Sequence, residues 1–150
     1  ISTLNNGMGR ITKVGIFADN GELEKVARYK SDLKIQLSFQ SESYQGPALI
    51  GIQVKNVHNE KIVDYVNEYD NTELNIEKGL NNFNINLNNP FLPGKYYVDV
   101  TVALPNGEAI DSLENAIEFT ASNLGATPDL NYNNPYVNAY TQGFGTWKIV

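Results

Sequence analysis

Cysteine is absent from the 150 residues. That excludes a thiol nucleophile, a thiolate-held metal and a disulfide framework, so stability has to come from packing. Histidine occurs once, as His58 in the turn Val57-His58-Asn59-Glu60-Lys61. One imidazole without thiols falls short of the several ligands a zinc site needs. A Ser-His-Asp triad would have to use His58, and no Gly-x-Ser-x-Gly elbow is there to present the serine. No block of Lys or Arg occurs, and 17 acidic against 11 basic residues leave a net charge of -6. The electrostatic footprint of a nucleic-acid binder is therefore missing. No apolar run approaches the length of a membrane span, and no basic-then-apolar signal segment opens the chain. Neither an Asn-x-Ser/Thr acceptor nor a Walker motif is present. Gly7-Met8-Gly9 looks like part of a phosphate loop, but it precedes a strand rather than a helix, which is the wrong context.

What is present is strand-forming. Hydrophobic residues make up 41% of the chain, and a single Met and a single Trp leave Val, Ile, Leu, Tyr and Phe to build the core. Nine Tyr and six Phe favour strands over helices. The length fits one domain, residues 1–150, with a real core. The chain opens on Ile1 rather than Met, and its domain-like size leads us to expect a piece of a longer protein. Asn recurs in pairs, as Asn5-Asn6, Asn81-Asn82, Asn88-Asn89 and Asn133-Asn134, in keeping with turn chemistry.

Period-two alternation is clearest after the turn Pro93-Gly94. Tyr96, Val98, Val100, Val102 and Leu104 take one face and Tyr97, Asp99 and Thr101 the other. Leu33, Ile35, Leu37 and Phe39 alternate with polar residues in the same way, as do Ile50, Ile52 and Val54, and Phe83, Ile85 and Leu87. Further strands are expected around Ile11–Ile16, over Ile62–Tyr69, and at Ile117 and Phe119. Asp19-Asn20-Gly21, Asp70-Asn71-Thr72, Asn89-Pro90 and Pro105-Asn106-Gly107 supply the turns. Glu22–Tyr29 has too few apolar positions for a helix and reads as loop and strand. The expected fold is all-β, an antiparallel immunoglobulin-like or jelly-roll sandwich of about seven to eight strands. By analogy, strands near 33–40 and 82–88 share one sheet, and those near 49–56, 62–69 and 96–104 the other.

The stretch 121–145 is rich in Asn, Tyr, Pro and Gly and ends in Thr146-Trp147-Lys148-Ile149-Val150, apolar enough for a last strand. Such a strand either folds back on its own sandwich or, after a long hinge, exchanges between two protomers.

Few residues offer chemistry. Asp64, Glu68 and Asp70 cluster near one strand end, where paired carboxylates could serve a glycosidase or simply be solvated charge. Asp19-Asn20-Gly21-Glu22 has oxygen ligands but not the spaced acids of a calcium loop. What remains is a face. Gln53, Lys55, Tyr65 and Tyr69, with Tyr97, Asp99 and Thr101, are expected to project from one sheet. Rings cover the apolar face of a pyranose, and amides, carboxylates and hydroxyls bond its hydroxyl groups. The same residues also suit an ordinary solvated sheet face.

The order of motifs resembles a known family. Gly7-x-Gly9-x-Ile11-x-x-Val14-x-Ile16 comes first, then Gly21, Leu33-x-Ile35, Gly51-Ile52-x-Val54 and Asn71-Thr72. Gly79, Phe83-x-Ile85, Leu92-Pro93-Gly94-x-Tyr96, Asp111, Ala116 and Phe119 follow. Together they look like the Wzt-like carbohydrate-binding domain, the C-terminal domain of the ATP-binding subunit of ABC transporters that export lipopolysaccharide O-antigen. The resemblance implies an immunoglobulin-like sandwich, usually a homodimer that exchanges its last strand. It implies binding of a finished polysaccharide on the cytosolic side of the inner membrane, next to the transmembrane permease subunit. It also implies an ATPase domain before Ile1, so that these residues need no cofactor and do not hydrolyse ATP. The Asn/Tyr-rich tail departs from the pattern. Two other functions fit the same surface: a carbohydrate-binding module of a secreted glycoside hydrolase, and a structural or adhesive sandwich.

Overall fold

The computed structural model describes residues 2–17, 23–88, 91–125, 131–133, 139–143 and 145–149. Among the described residues ten strands run β1 Ser2–Asn5, β2 Gly9–Phe17, β3 Val26–Ala27, β4 Leu33–Ser41 and β5 Gly46–Lys55, then β6 Lys61–Val66, β7 Leu74–Ile76, β8 Gly79–Leu87, β9 Gly94–Ala103 and β10 Ala109–Ala121. The larger sheet has the order β1-β10-β9-β5-β6, with β3 alongside β10 and β7 alongside β5. The smaller has the order β2-β4-β8. Every pairing is antiparallel except β3 with β10. The expected assignment of strands to sheets holds. Glu24 to Tyr29 holds the short β3 and no helix. The turn residues Asp19-Asn20-Gly21 and Asn89-Pro90 lie outside the described residues.

Alternation explains the core. Ile35, Leu37 and Phe39 of β4 and Ile52 and Val54 of β5 are buried between the sheets. From β9, Tyr96, Val98, Val100 and Val102 join them. Removing such side chains from water is the main favourable term in the fold. Phe91, Tyr96 and Phe119 close one end of the sandwich, with Tyr96 stacked on Phe119 at 5.4 Å and Phe91 4.9 Å from Tyr96. Tyr96 Oη donates to the carbonyls of Leu92 (2.8 Å) and Tyr140 (2.9 Å), which fastens part of the tail to this plug.

Three segments differ from the sequence reading. The strand expected over 62–69 stops at Val66, and Asn67–Asp70 forms a 3-10 turn. Asn67 is the cause: buried, it accepts from the Ile50 N–H (2.8 Å) and donates to the Thr72 carbonyl (2.9 Å). Asn71 then closes the turn in the left-handed region at φ 54°, which Asn tolerates better than most residues. Second, β10 begins at Ala109, well before Ile117. An irregularity between Leu113 and Ile117, with Asn115 at φ 50°, breaks its alternation. Third, residues 145–149 are not in a strand, and Trp147 and Ile149 are each 98% exposed. Among the described residues, the tail end does not fold back onto its own sandwich.

Candidate functional site

Register places the outer face of the larger sheet in rows. Val66, Gly51, Thr101 and Ser112 form one row across β6, β5, β9 and β10. Asp64, Gln53 and Asp99 form the next, and Lys55 lies opposite Tyr97 in the one after. Directly opposed residues of an antiparallel pair share a face, so Gln53, Lys55, Tyr97, Asp99 and Thr101 do come together.

Tyr65 does not join them. It lies opposite Ile52, a fully buried core residue, so its ring belongs to the inner side of the sheet. A one-residue step in a strand reverses the face, and Asp64 takes the outward place instead. The Tyr65 hydroxyl donates to Asp70 Oδ2 at 2.6 Å, and that bond raises the phenol above its ordinary range. Its ring lines a cavity of about 370 Å³ that opens between β6 and β8, with Ile50, Ile52, Phe83 and Ile85.

Tyr69 reaches the outer face by another route. The 3-10 turn carries it back over the sheet, where its hydroxyl donates to Asp64 Oδ2 at 2.7 Å. Gln53 Nε2 donates to the other oxygen, Oδ1, at 3.3 Å. The bonded carboxylate raises the Tyr69 phenol, so the neutral hydroxyl persists as a donor. Beside this chain Gly51 contributes no side chain; a Cβ there would meet only Val66, at 3.8 Å. The missing side chain leaves a dip in the row between Val66 and Thr101, a one-residue trough at Gly51. The amide and carboxylate of Gln53 and Asp64 border it on one side, and the hydroxyls of Thr101 and Ser112, 2.9 Å apart, stand along it.

Lys55 and Asp99 have a different part. Lys55 Nζ lies 3.0 Å from Asp99 Oδ2, and the side chains are 5% and 14% exposed. Asp99 Oδ1 also accepts from the Asn115 N–H at 2.8 Å, across the irregular part of β10. The pair is built into the wall of the sheet. Tyr97 stays half-buried on the face, with Lys95 Nζ 6.0 Å from its ring.

Among the described residues no group of three or more His, Asp or Glu could hold a metal ion, and no helix is long and apolar enough to cross a membrane. The surface offers paired donors and acceptors and ring faces, groups that can bond hydroxyls and cover apolar C–H surface.

The profile of the Wzt C-terminal domain matches residues 3–130. The chain belongs to the Wzt C-terminal domain family. The fold agrees: the solved C-terminal domain of Wzt is similar at TM-score 0.78 and 10% identity, covering 98% of this chain and 87% of that one. A putative β-galactosidase from Bacteroides fragilis aligns less well, at TM-score 0.49 and 16% identity, over 71% of this chain and 17% of its own. No curated protein sequence matches the chain.

The residues that carried the resemblance to the Wzt domain mostly hold the sandwich together. Asp111 is buried and accepts from the Ile11 N–H at 2.7 Å. Tyr96 and Phe119 belong to the aromatic plug. Gly51 is the exception, because it floors the trough. Sequence reasoning missed Ser112 and the Tyr69–Asp64–Gln53 chain. The alternation of Gly51, Gln53 and Lys55 was a usable signal for the floor, whereas the 3-10 turn that returns Tyr69 left none.

Proposed function

We propose that this domain is a non-catalytic glycan-binding module that recognises an O-antigen-type polysaccharide for export by an ABC transporter. The observation that carries the reading is the hydrogen-bonded chain Tyr69–Asp64–Gln53 beside the Gly51 trough. Its donors and acceptors are already oriented, so little side-chain freedom is lost when sugar hydroxyls replace water. Gln53, Tyr69, Tyr97 and Thr101 make the contacts, and Lys55 and Asp99 hold the sheet beneath them. Family membership supports a transporter setting, with an ATPase domain in the same protein, a permease partner and a position on the cytosolic side of the inner membrane. The exposed Trp147 and Ile149 support a homodimer in which the last segment crosses to the second copy.

An NMR titration of the domain with the O-polysaccharide of its own cell, and with an unrelated polysaccharide, tests this. Selective shifts at Gln53, Asp64 and Thr101 are expected. Equal binding of both polymers would favour a generic carbohydrate-binding module, and binding of neither would favour a structural sandwich.

A further inference from the structure

The outer face of the smaller sheet lies on the opposite side of the sandwich from the trough. Register lays it out in four rows across β2, β4 and β8. Arg10, Gln40 and Leu80 make the first row; Lys13, Ser38 and Asn82 make the second. Gly15, Gln36 and Asn84 make the third, and Phe17, Lys34 and Asn86 the last. Three of these positions are cationic and none is acidic, in a chain whose net charge is -6. The larger sheet contrasts with this. There the outer face carries the carboxylates of Asp64, Asp99 and Glu118 beside Lys55 and Lys95, with Lys55 3.0 Å from Asp99 and Lys95 3.5 Å from Glu118, so it has no excess of positive charge.

Amides fill much of the remaining grid. Asn82, Asn84 and Asn86 are exposed on β8, and Gln36 is half-exposed on β4. Alternate residues of a strand are about 7 Å apart, so these amides repeat at an even step along the sheet. Each offers two donors and an acceptor. The Ser38 hydroxyl fixes one of them, donating to Asn82 Oδ1 at 2.6 Å. Along the β2 edge, Leu23 packs over Gly15, where a Cβ would lie 2.7 Å from Leu23 Cδ2. Phe17 continues this apolar strip, with Lys13 Nζ 5.8 Å from its ring.

We propose that this second face binds an acidic, hydroxyl-rich polymer: a stretch of carboxylate-bearing polysaccharide lying along the strands. Arg10, Lys13 and Lys34 attract the carboxylates, and the local excess of positive charge concentrates a polyanion there. The amide rows pair with hydroxyls and carboxylates, and Phe17 with Leu23 covers the C–H face of a ring. An anionic bilayer would need only the charge, whereas the regular amides suit a ligand with many hydroxyl groups. This face and the trough are separate, so resonances of Asn84 and Lys34 report on one while those of Gln53 and Thr101 report on the other.

The test is an NMR titration of the domain with oligogalacturonate and with its methyl ester, which keeps the sugar and removes the charge. Shifts at Arg10, Lys34, Gln36 and Asn84 are expected with the acid, with affinity falling as salt is raised. The variant carrying Arg10→Gln, Lys13→Gln and Lys34→Gln should bind about tenfold more weakly, given what exposed charge pairs are worth. Asn84→Asp, which places a carboxylate in the grid and leaves every cation, should weaken binding in the same direction. Equal binding of acid and ester would overturn the proposal. So would shifts confined to Gln53 and Thr101, or no binding of the acid. Binding to phosphatidylglycerol vesicles without binding to oligogalacturonate would replace it with a membrane surface.

Discussion

The Asp111 carboxylate on β10 accepts a 2.7 Å hydrogen bond from the backbone N–H of Ile11 on β2, joining the two sheets directly. Both residues are buried, and β2 is an edge strand of the smaller sheet. Edge N–H groups need partners when water is kept out. Asp111 supplies one and so fixes the closure of the sandwich at this seam.

Asp111→Ala leaves that N–H without its acceptor. A loss of roughly 2–3 kcal/mol is expected for an unmet buried donor that had a charged partner. Asp111→Asn keeps an acceptor oxygen and should lose less. Urea midpoints of the two variants, measured at equal slope, give the comparison. Equal losses would mean that the hydrogen bond is not what Asp111 contributes.

The Lys55–Asp99 pair makes a second prediction, and it corrects what alternation alone implies. An outward Asp99 would be dispensable for stability. With its oxygens held by Lys55 and the Asn115 N–H, Asp99→Ala strands a buried ammonium, at a cost of about 3 kcal/mol. The double variant Lys55→Met, Asp99→Leu removes both charges and should recover much of that loss. Thermal unfolding of the single and double variants decides it.

Much of the fold was legible because two-residue periodicity reports burial directly. Leu33 to Phe39 and Tyr96 to Val102 each alternate without interruption, and each is a strand with the expected face inward. The site was less legible because a face is shared only after pairing. Nothing local to Tyr65 says that it will stand opposite Ile52. Nothing local to Asn67 says that its side chain will take the Ile50 N–H and end the strand. The first half of β10 was hidden for a related reason: Asp111, Ser112 and Asn115 interrupt alternation because they bond to other strands.

The tail supplies a third prediction. Trp147 and Ile149 are 98% exposed, so two large apolar side chains gain burial only from something beyond their own sandwich. Under the exchange proposed above, deleting residues 144–150 should convert a dimer to a monomer by light scattering. The aromatic plug, anchored through Tyr140, should remain and keep the monomer folded. A deletion variant with the mass of the full domain would remove the exchange.

Tyr96 gives a prediction for pH. Burial first, and then the neighbouring Tyr140, push its phenol from 10.0 up to about 12. In the folded state the neutral hydroxyl donates to the Leu92 and Tyr140 carbonyls, and a phenolate there would face carbonyl oxygens in a core with no donor from them. The unfolded chain releases this proton near its ordinary value, so between pH 10 and about 12 the unfolded state binds fewer protons than the folded one. Stability is therefore fully present below pH 10 and falls as pH rises through that window, by roughly 2–3 kcal/mol for this group. Tyr96→Phe keeps the ring stacked on Phe119 and removes the titration. It should lower stability at neutral pH by about 1 kcal/mol, the worth of the lost hydrogen bonding, and flatten the alkaline limb. Urea unfolding of both proteins across pH 8 to 12 measures both effects, and an unchanged alkaline slope in Tyr96→Phe would assign the limb to other groups.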